Sequence, residues 1–310
     1  MGQGEKWSMA PAPQADKGSL VVRFFSPSLF HCNGKPLPLG LKQRTLELLC
    51  YLMINAGQEI RRERIAEQIW PDSDEARQRS ALNSALWRIA KKLPQHPGLQ
   101  LRTTVHTVWM TIDAAISVDS RDLRALVEEG SWAGGSGAAW AQRLEAALEA
   151  SEAPFMDGID ADWALAERER ACSIRVRGLI ELMHWYGSQR RYEDALRLAR
   201  QVLCEDPFRE SVLIGMMWLY VLNGQRAEAI RQYQSFAKML QQELGIEPMP
   251  ETQALLHHIR NELGSAPDSI PARGFDTAAA GEAKDSFSHL LAAVEESRRE
   301  IYQTLKAQIG

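Results

Sequence analysis

The chain lacks most of what would mark it as a membrane, secreted or metal-binding protein. None of its apolar runs is long enough to span a bilayer. The opening stretch MGQGEKWSMAPAPQADKG has no apolar signal core, and residues 1–19 read as a disordered leader. Met1-Gly2 is followed by Lys6, where a myristoylation site carries Ser or Thr. Only four cysteines occur, Cys32, Cys50, Cys172 and Cys204, and no two have zinc or redox spacing. That pattern fits a reduced, cytoplasmic protein without a structural metal. Three of the four lie in apolar stretches, where a thiol acts as a small hydrophobe.

Catalytic signatures are missing as well. There is no G-x-S-x-G elbow, no H-E-x-x-H and no G-x-x-x-x-G-K-[ST]. The chain is therefore expected to be no enzyme, to need no cofactor and to neither bind nor hydrolyse ATP. His257-His258 are adjacent, point about 100° apart on a helix and cannot share a metal.

The net charge of −4 hides an asymmetry. Residues 20–115 hold 13 Lys+Arg against 8 Asp+Glu, and residues 116–310 hold 21 against 30. A basic first third suits contact with a polyanion, and the acidic remainder suits a part kept away from it; chance scatter is the alternative.

Within 20–115 the pattern changes period twice. Leu20–Phe25 alternates, and Asn33-Gly34 sits between short apolar runs as a hairpin turn. Leu46, Leu49, Leu52 and Met53 then recur at helical steps over Lys42–Asn55. A second short helix covers Arg61–Trp70, with Ile65 and Ile69 inward and Pro71 ending it. A third covers Asp74–Leu93, with Asp72 or Ser73 as N-cap. Its apolar stripe is Leu82, Leu86, Ile89 and Leu93. From Arg77 to Lys92 it has five basic residues and no acidic one. The face opposite the stripe carries Arg79, Asn83, Trp87 and Lys91, with Ser84 and Arg88 beside them. Asn can read adenine edges, and Arg can read guanine or clamp phosphate. Two alternating runs, Leu99–Thr103 and Val105–Ile112, form a hairpin with Arg102, Thr104 and His106 near its tip.

Strands, three helices and a hairpin make a winged helix-turn-helix behind an added N-terminal sheet. The third helix would enter the major groove, and the wing would touch the backbone or the minor groove. This segment resembles the OmpR-type winged helix of the Streptomyces antibiotic regulatory protein (SARP) family of activators. In that family the second helix opens on an Arg and closes on a Trp, both against phosphates; Arg62 and Trp70 match them. A core aromatic is the other reading of Trp70. Trp87 has two readings as well: a contact to sugar or a thymine methyl, or a core residue turned against the wing.

After a Gly- and Ser-rich connector, 130–137, everything from Ala138 to Ile259 reads as helical. A shift of 34 residues aligns Leu179 with Leu213, Leu182 with Met216, Tyr186 with Tyr220 and Ala195 with Ala229. Pro207 closes the first unit, and Arg191-Tyr192 and Gly224-Gln225 mark the turns. Small Ala lets paired helices approach, and Tyr fills the groove between units. Three phrases resemble the bacterial transcriptional activator domain of the same family: Asp162-Trp163-Ala164 with Glu167–Arg170, Tyr192–Ala195, and Asp206–Glu210. A fourth, ELGIEPMPET at 243–252, is the most specific. The connector 130–137 departs from the family, whose members carry a polar helix–helix turn there. The resemblance implies that this domain mediates protein contacts, including dimerisation and contact with RNA polymerase.

The fold expected is mostly α: a winged helix (20–115), a helical tetratricopeptide-like domain (116–262), a linker (263–285) and a C-terminal amphipathic helix (286–310). In that last helix Phe287, Leu291, Val294, Ile301 and Leu305 form a short seam, interrupted by Arg298, that could pack on its own domain or on another chain, and self-association is the expectation. The function expected is a sequence-specific transcriptional activator on double-stranded DNA, homodimeric and away from membranes. The alternative is an adaptor scaffold whose winged helix serves protein contacts. The DNA-contact set is Arg62, Trp70, Arg79, Asn83, Ser84, Trp87, Arg88, Lys91, Arg102, Thr104 and His106.

Overall fold

The computed structural model describes residues 20–132 and 137–261. The leader, the linker and the C-terminal amphipathic helix lie outside the described residues. Contacts group the chain into two compact units. The first takes the chain to Trp132 together with Gln142–Arg175, and the second takes Ala133–Ala141 together with Val176 onward. This grouping differs from a division at 115/116, because residues beyond 115 complete the sheet and core of the first unit.

That unit opens with β1 (Leu20–Val22), β2 (Phe30–Cys32) and β3 (Lys35–Pro36). Asn33 and Gly34 take φ of 51° and 77°, so both turn residues are left-handed, which matches the twist of a tight hairpin. Helix α1 (Gln43–Ile54) follows, then β4 (Ile60–Arg61), α2 (Arg62–Ile69) and α3 (Glu75–Lys92). The wing is β5 (Leu99–Thr103) and β6 (Thr107–Ile112), and β7 (Ser117–Val118) leads into α4 (Asp119–Trp132). One sheet has the order β3-β2-β1-β7 and the other β4-β6-β5. Periodicity does not reveal β4 and β7: each has two residues, and both exist only through their partners, β6 and β1.

The core follows the apolar spacing. Leu49, Leu52, Ile65, Ile69, Leu82 and Ile89 are fully or almost fully buried, together with Phe30 and Met110. Asp119 seals the junction past the wing: its carboxylate accepts the N–H groups of Phe24 and Phe25, both at 3.0 Å. Phe155 packs on both rings, with centroids 5.5 and 5.0 Å away. Phe155 lies in residues 150–161, which form a non-helical loop between α5 (Ala138–Glu149) and α6 (Asp162–Ser188) and break the continuous helix expected there. Arg168 on α6 holds this loop by donating to the carbonyls of Phe155, Met156 and Ile159, each at 2.8 Å. Helix α4 also runs on through Gly130 to Trp132, shortening the expected connector.

In the second unit the C-terminal part of α6 leads through a tight turn into α7 (Tyr192–Glu205), which packs on α8 (Glu210–Leu222), and α8 packs on α9 (Arg226–Glu243), ahead of α10 (Pro250–Asn261). The repeat is real at the level of packing. Leu179, Leu182, Tyr186 and Ala195 are buried, and so are Leu213, Met216, Tyr220 and Ala229. The turns superpose as well: Arg191 N–H donates to the Tyr186 carbonyl at 2.9 Å, and Gln225 N–H to the Tyr220 carbonyl at 2.8 Å. The first turn is Gln189–Arg191, since Tyr192 already belongs to α7. Glu210 at the start of α8 accepts from the Met249 N–H and the Thr252 hydroxyl, the latter at 2.6 Å, which ties the phrase at 206–210 to the one at 243–252.

Of the cysteines only Cys50 is buried; burial and the neighbouring Glu47 push its thiol up to about 12. Cys172 and Cys204 are exposed, so at least one of the three thiols expected to act as small hydrophobes is not buried. No helix among the described residues is long and apolar enough to cross a membrane.

Candidate nucleic-acid interface

The candidate interface is built from α2, α3 and the wing. Helix α2 starts at Arg62 without a side-chain cap, and its first amide is satisfied by the wing: Arg62 N–H donates to the His106 carbonyl at 2.9 Å. At the other end Trp70 N–H closes on Ala66, and the Trp70 carbonyl accepts Gln78 Nε2 at 2.9 Å. That bond fixes the turn into α3. The N-cap of α3 is Asp74, not Asp72 or Ser73; its carboxylate accepts Arg77 N–H at 2.9 Å. The turn uses four residues after Trp70, which puts the cap two residues after Asp72 and one after Ser73.

The inward stripe of α3, Leu82, Leu86, Ile89 and Leu93, is buried. With that stripe committed to the core, Arg79, Asn83, Ser84, Trp87, Arg88 and Lys91 are all exposed. Trp87 is 61% exposed, so it is not a core residue turned against the wing. Lys91 Nζ lies 5.0 Å from the centre of its ring, a cation–π contact between two exposed side chains. Trp70 is half-buried.

The structure brings one group of candidates into direct contact. Arg62 reaches from α2 to the Asn83 side-chain oxygen and to the Thr104 carbonyl, the second at 3.3 Å. Arginine only donates, so the Asn83 oxygen is the acceptor in this contact and its NH2 group takes no part in it. Thr104 contributes main chain more than hydroxyl: its Oγ1 accepts the Thr107 N–H at 2.9 Å and shapes the wing tip. Val105, at that tip, is 83% exposed.

Other candidates stand apart. Arg79 is ion-paired with Glu75 one turn back. Arg102 donates to Gln100 Oε1 at 2.5 Å, along the strand rather than towards α3.

Sequence reasoning missed a second basic surface. A shallow groove is lined by Trp70, Ser84 and Arg88 together with Lys42, Arg44 and Arg77. Lys42 and Arg44 sit at the first turn of α1. Their signal was a Lys-x-Arg at a helix start, but nothing in periodicity says that this start abuts α3. Arg44 is itself paired with the buried Glu47 at 3.0 Å. Among the described residues no cluster of His, Cys, Asp or Glu could hold a metal.

Comparison with known proteins matches this order of parts. Residues 34–111 match the family "Transcriptional regulatory protein, C terminal", and residues 118–260 match "Bacterial transcriptional activator domain". The regulatory protein AfsR of Streptomyces coelicolor is 23% identical over 80% of this chain, which spans 25% of AfsR. The transcriptional regulatory protein MoaR1 of Mycobacterium tuberculosis is 24% identical over 79% of this chain and 81% of its own length. The fold is also that of Mycobacterium tuberculosis EmbR, solved in complex with a low-affinity phosphopeptide, with a TM-score of 0.70 at 19% identity over 90% of this chain and 72% of EmbR. An OmpR-type winged helix followed by a bacterial transcriptional activator domain is the SARP-like architecture, and the two matches give this chain those parts in that order.

Proposed function

We propose that the winged helix binds duplex DNA with α3 in the major groove. Asn83, Ser84, Trp87 and Arg88 lie nearest the base edges or their flanking sugars. Arg79 and Lys91 serve the two phosphate strands, joined by Arg62, Trp70 and the wing residues Arg102, Thr104 and His106. Lys42, Arg44 and Arg77 extend the phosphate track on the side of Arg88. The observation that carries this reading is the exposed face of α3: from Arg77 to Lys92 the helix has five basic residues and no carboxylate, and its one acidic residue, Glu75 in the first turn, is ion-paired with Arg79.

The helical domain then supplies contacts to RNA polymerase and to a second copy of the chain, making the protein a cytoplasmic, dimeric activator without enzymatic activity. The buried repeat supports a scaffold role, because each helix pair spends its apolar face on its neighbour and leaves its polar face for partners.

The test is a mobility-shift titration of the full chain on genomic-site and random duplexes across a salt series. Specific binding should exceed random binding by roughly 10³-fold or more, with steep salt dependence. No shift at low salt would overturn the reading in favour of an adaptor.

A further inference from the structure

The first unit contains a cavity of about 690 Å³ whose lining shares no residue with the proposed DNA-contact set. Small-molecule sites span about 300–1,000 Å³ and combine an apolar wall with a few convergent polar groups. This cavity has both. Its apolar lining includes the Phe24–Phe25–Phe155 cluster and Ile174. Its charged lining is three arginines, Arg121, Arg124 and Arg170, against the single carboxylate of Glu167.

The arginines are not equally available. Arg170 is paired with Glu167. Arg121 donates to the Ile116 carbonyl and lies 3.7 Å from Asp122. Arg124, on the exposed side of α4, makes no ion pair or hydrogen bond among the described residues. A cavity with an aromatic wall and one uncommitted guanidinium is complementary to a molecule with an apolar body and one anionic end. The planar two-donor fork of Arg matches a carboxylate. A bulky polyanion would strand its charge against the phenylalanines, and a neutral hydrocarbon would leave the guanidinium unused.

We propose that this cavity binds a small apolar carboxylate, with its carboxylate on Arg124 and its body on the phenylalanine wall. The lining comes from the end of α1, the end of β6, α4 and the N-terminal half of α6, so an occupant touches the winged helix and the helices that follow it at once. Such a ligand is an effector: it alters how the winged helix is held without contacting α3.

The experiment is isothermal titration of the full chain with 1-naphthoate and with the neutral 1-naphthalenemethanol. Saturable 1:1 binding of the acid is expected, at least about tenfold tighter than the alcohol, or about 1.4 kcal/mol. Arg124→Glu and Arg124→Gln should each lose about tenfold in acid affinity. Both should keep the wild-type melting temperature and wild-type DNA affinity without ligand, because Arg124 is exposed and outside the DNA-contact set. Three results would overturn the proposal: no saturable heat with naphthoate up to several millimolar, equal affinity for acid and alcohol, or unchanged acid binding in both variants. None of them bears on whether α3 binds DNA.

Discussion

The guanidinium of Arg62, at the start of α2, donates to the side-chain oxygen of Asn83, halfway along α3. One residue assigned to phosphate and one assigned to bases therefore form a single unit before DNA arrives. Two consequences follow. On the proposed docking, Asn83 would offer its NH2 as a donor to acceptor atoms in the major groove. Arg62 also cannot be removed without freeing the Asn83 amide to turn.

Alanine variants should separate the roles. Asn83→Ala and Arg88→Ala should each cost roughly 1–3 kcal/mol on the preferred site and little on random duplex. Lys91→Ala should weaken both alike and lower the salt slope by about one ion. Arg62→Ala should do both at once. A double-mutant cycle with Asn83 should show coupling of about 0.5–3 kcal/mol, and additive losses would mean that the contact plays no part in reading.

Trp87 and Val105 are exposed apolar residues on the surface assigned to DNA. Trp87→Ala should change unfolding free energy by no more than about 0.5 kcal/mol, because little is buried. Its DNA affinity should fall several-fold, and Val105→Asp should lower it further by placing a carboxylate at the wing tip. Melting curves and binding isotherms on the same preparations check this; a large loss of stability in Trp87→Ala would return the residue to the core.

Arg190 has φ of 60°, and Gly224, 34 residues later, has φ of 74° in the equivalent turn. The left-handed conformation suits Gly and strains Arg. Arg190→Gly should therefore leave stability unchanged or raise it by up to about 1 kcal/mol, while Gly224→Ala should lower it by about 1 kcal/mol or more. Chemical denaturation of the two variants tests whether the repeat equivalence extends to backbone strain.

Burial raises the Asp119 carboxyl above its ordinary range, against the N–H groups of Phe25, Phe24 and Ser120, which pull it down. A raised folded pKa means that the protonated form favours folding. That contribution is complete below the unfolded value of about 3.9 and is lost as pH rises through the folded value. Asp119→Asn does not titrate, so its stability relative to wild type should improve as pH rises from about 4 and then level off. Unfolding measured in steps between pH 3.5 and 7 checks the sign; a shift in favour of wild type would show that the three amides outweigh burial.

The long periodic elements were legible in the sequence. The stripe of α3 and the 34-residue spacing of Leu179, Tyr186 and Ala195 over Leu213, Tyr220 and Ala229 were readable because local helical period and burial coincide there. The composition of the α3 face was readable for the same reason: once the apolar stripe is committed, the opposite face is determined. Three features were set only by the tertiary structure. Strands β4 and β7 have two residues each and exist only through β6 and β1. The Asp74 cap and the Arg62–Asn83 contact depend on how tightly the α2–α3 turn closes. The placing of Lys42 and Arg44 beside Arg88, and of Phe155 on Phe24 and Phe25, joins segments far apart in the chain. Periodicity reports which face of an element is buried, but it carries no information about which other element covers that face, and that choice is made by packing.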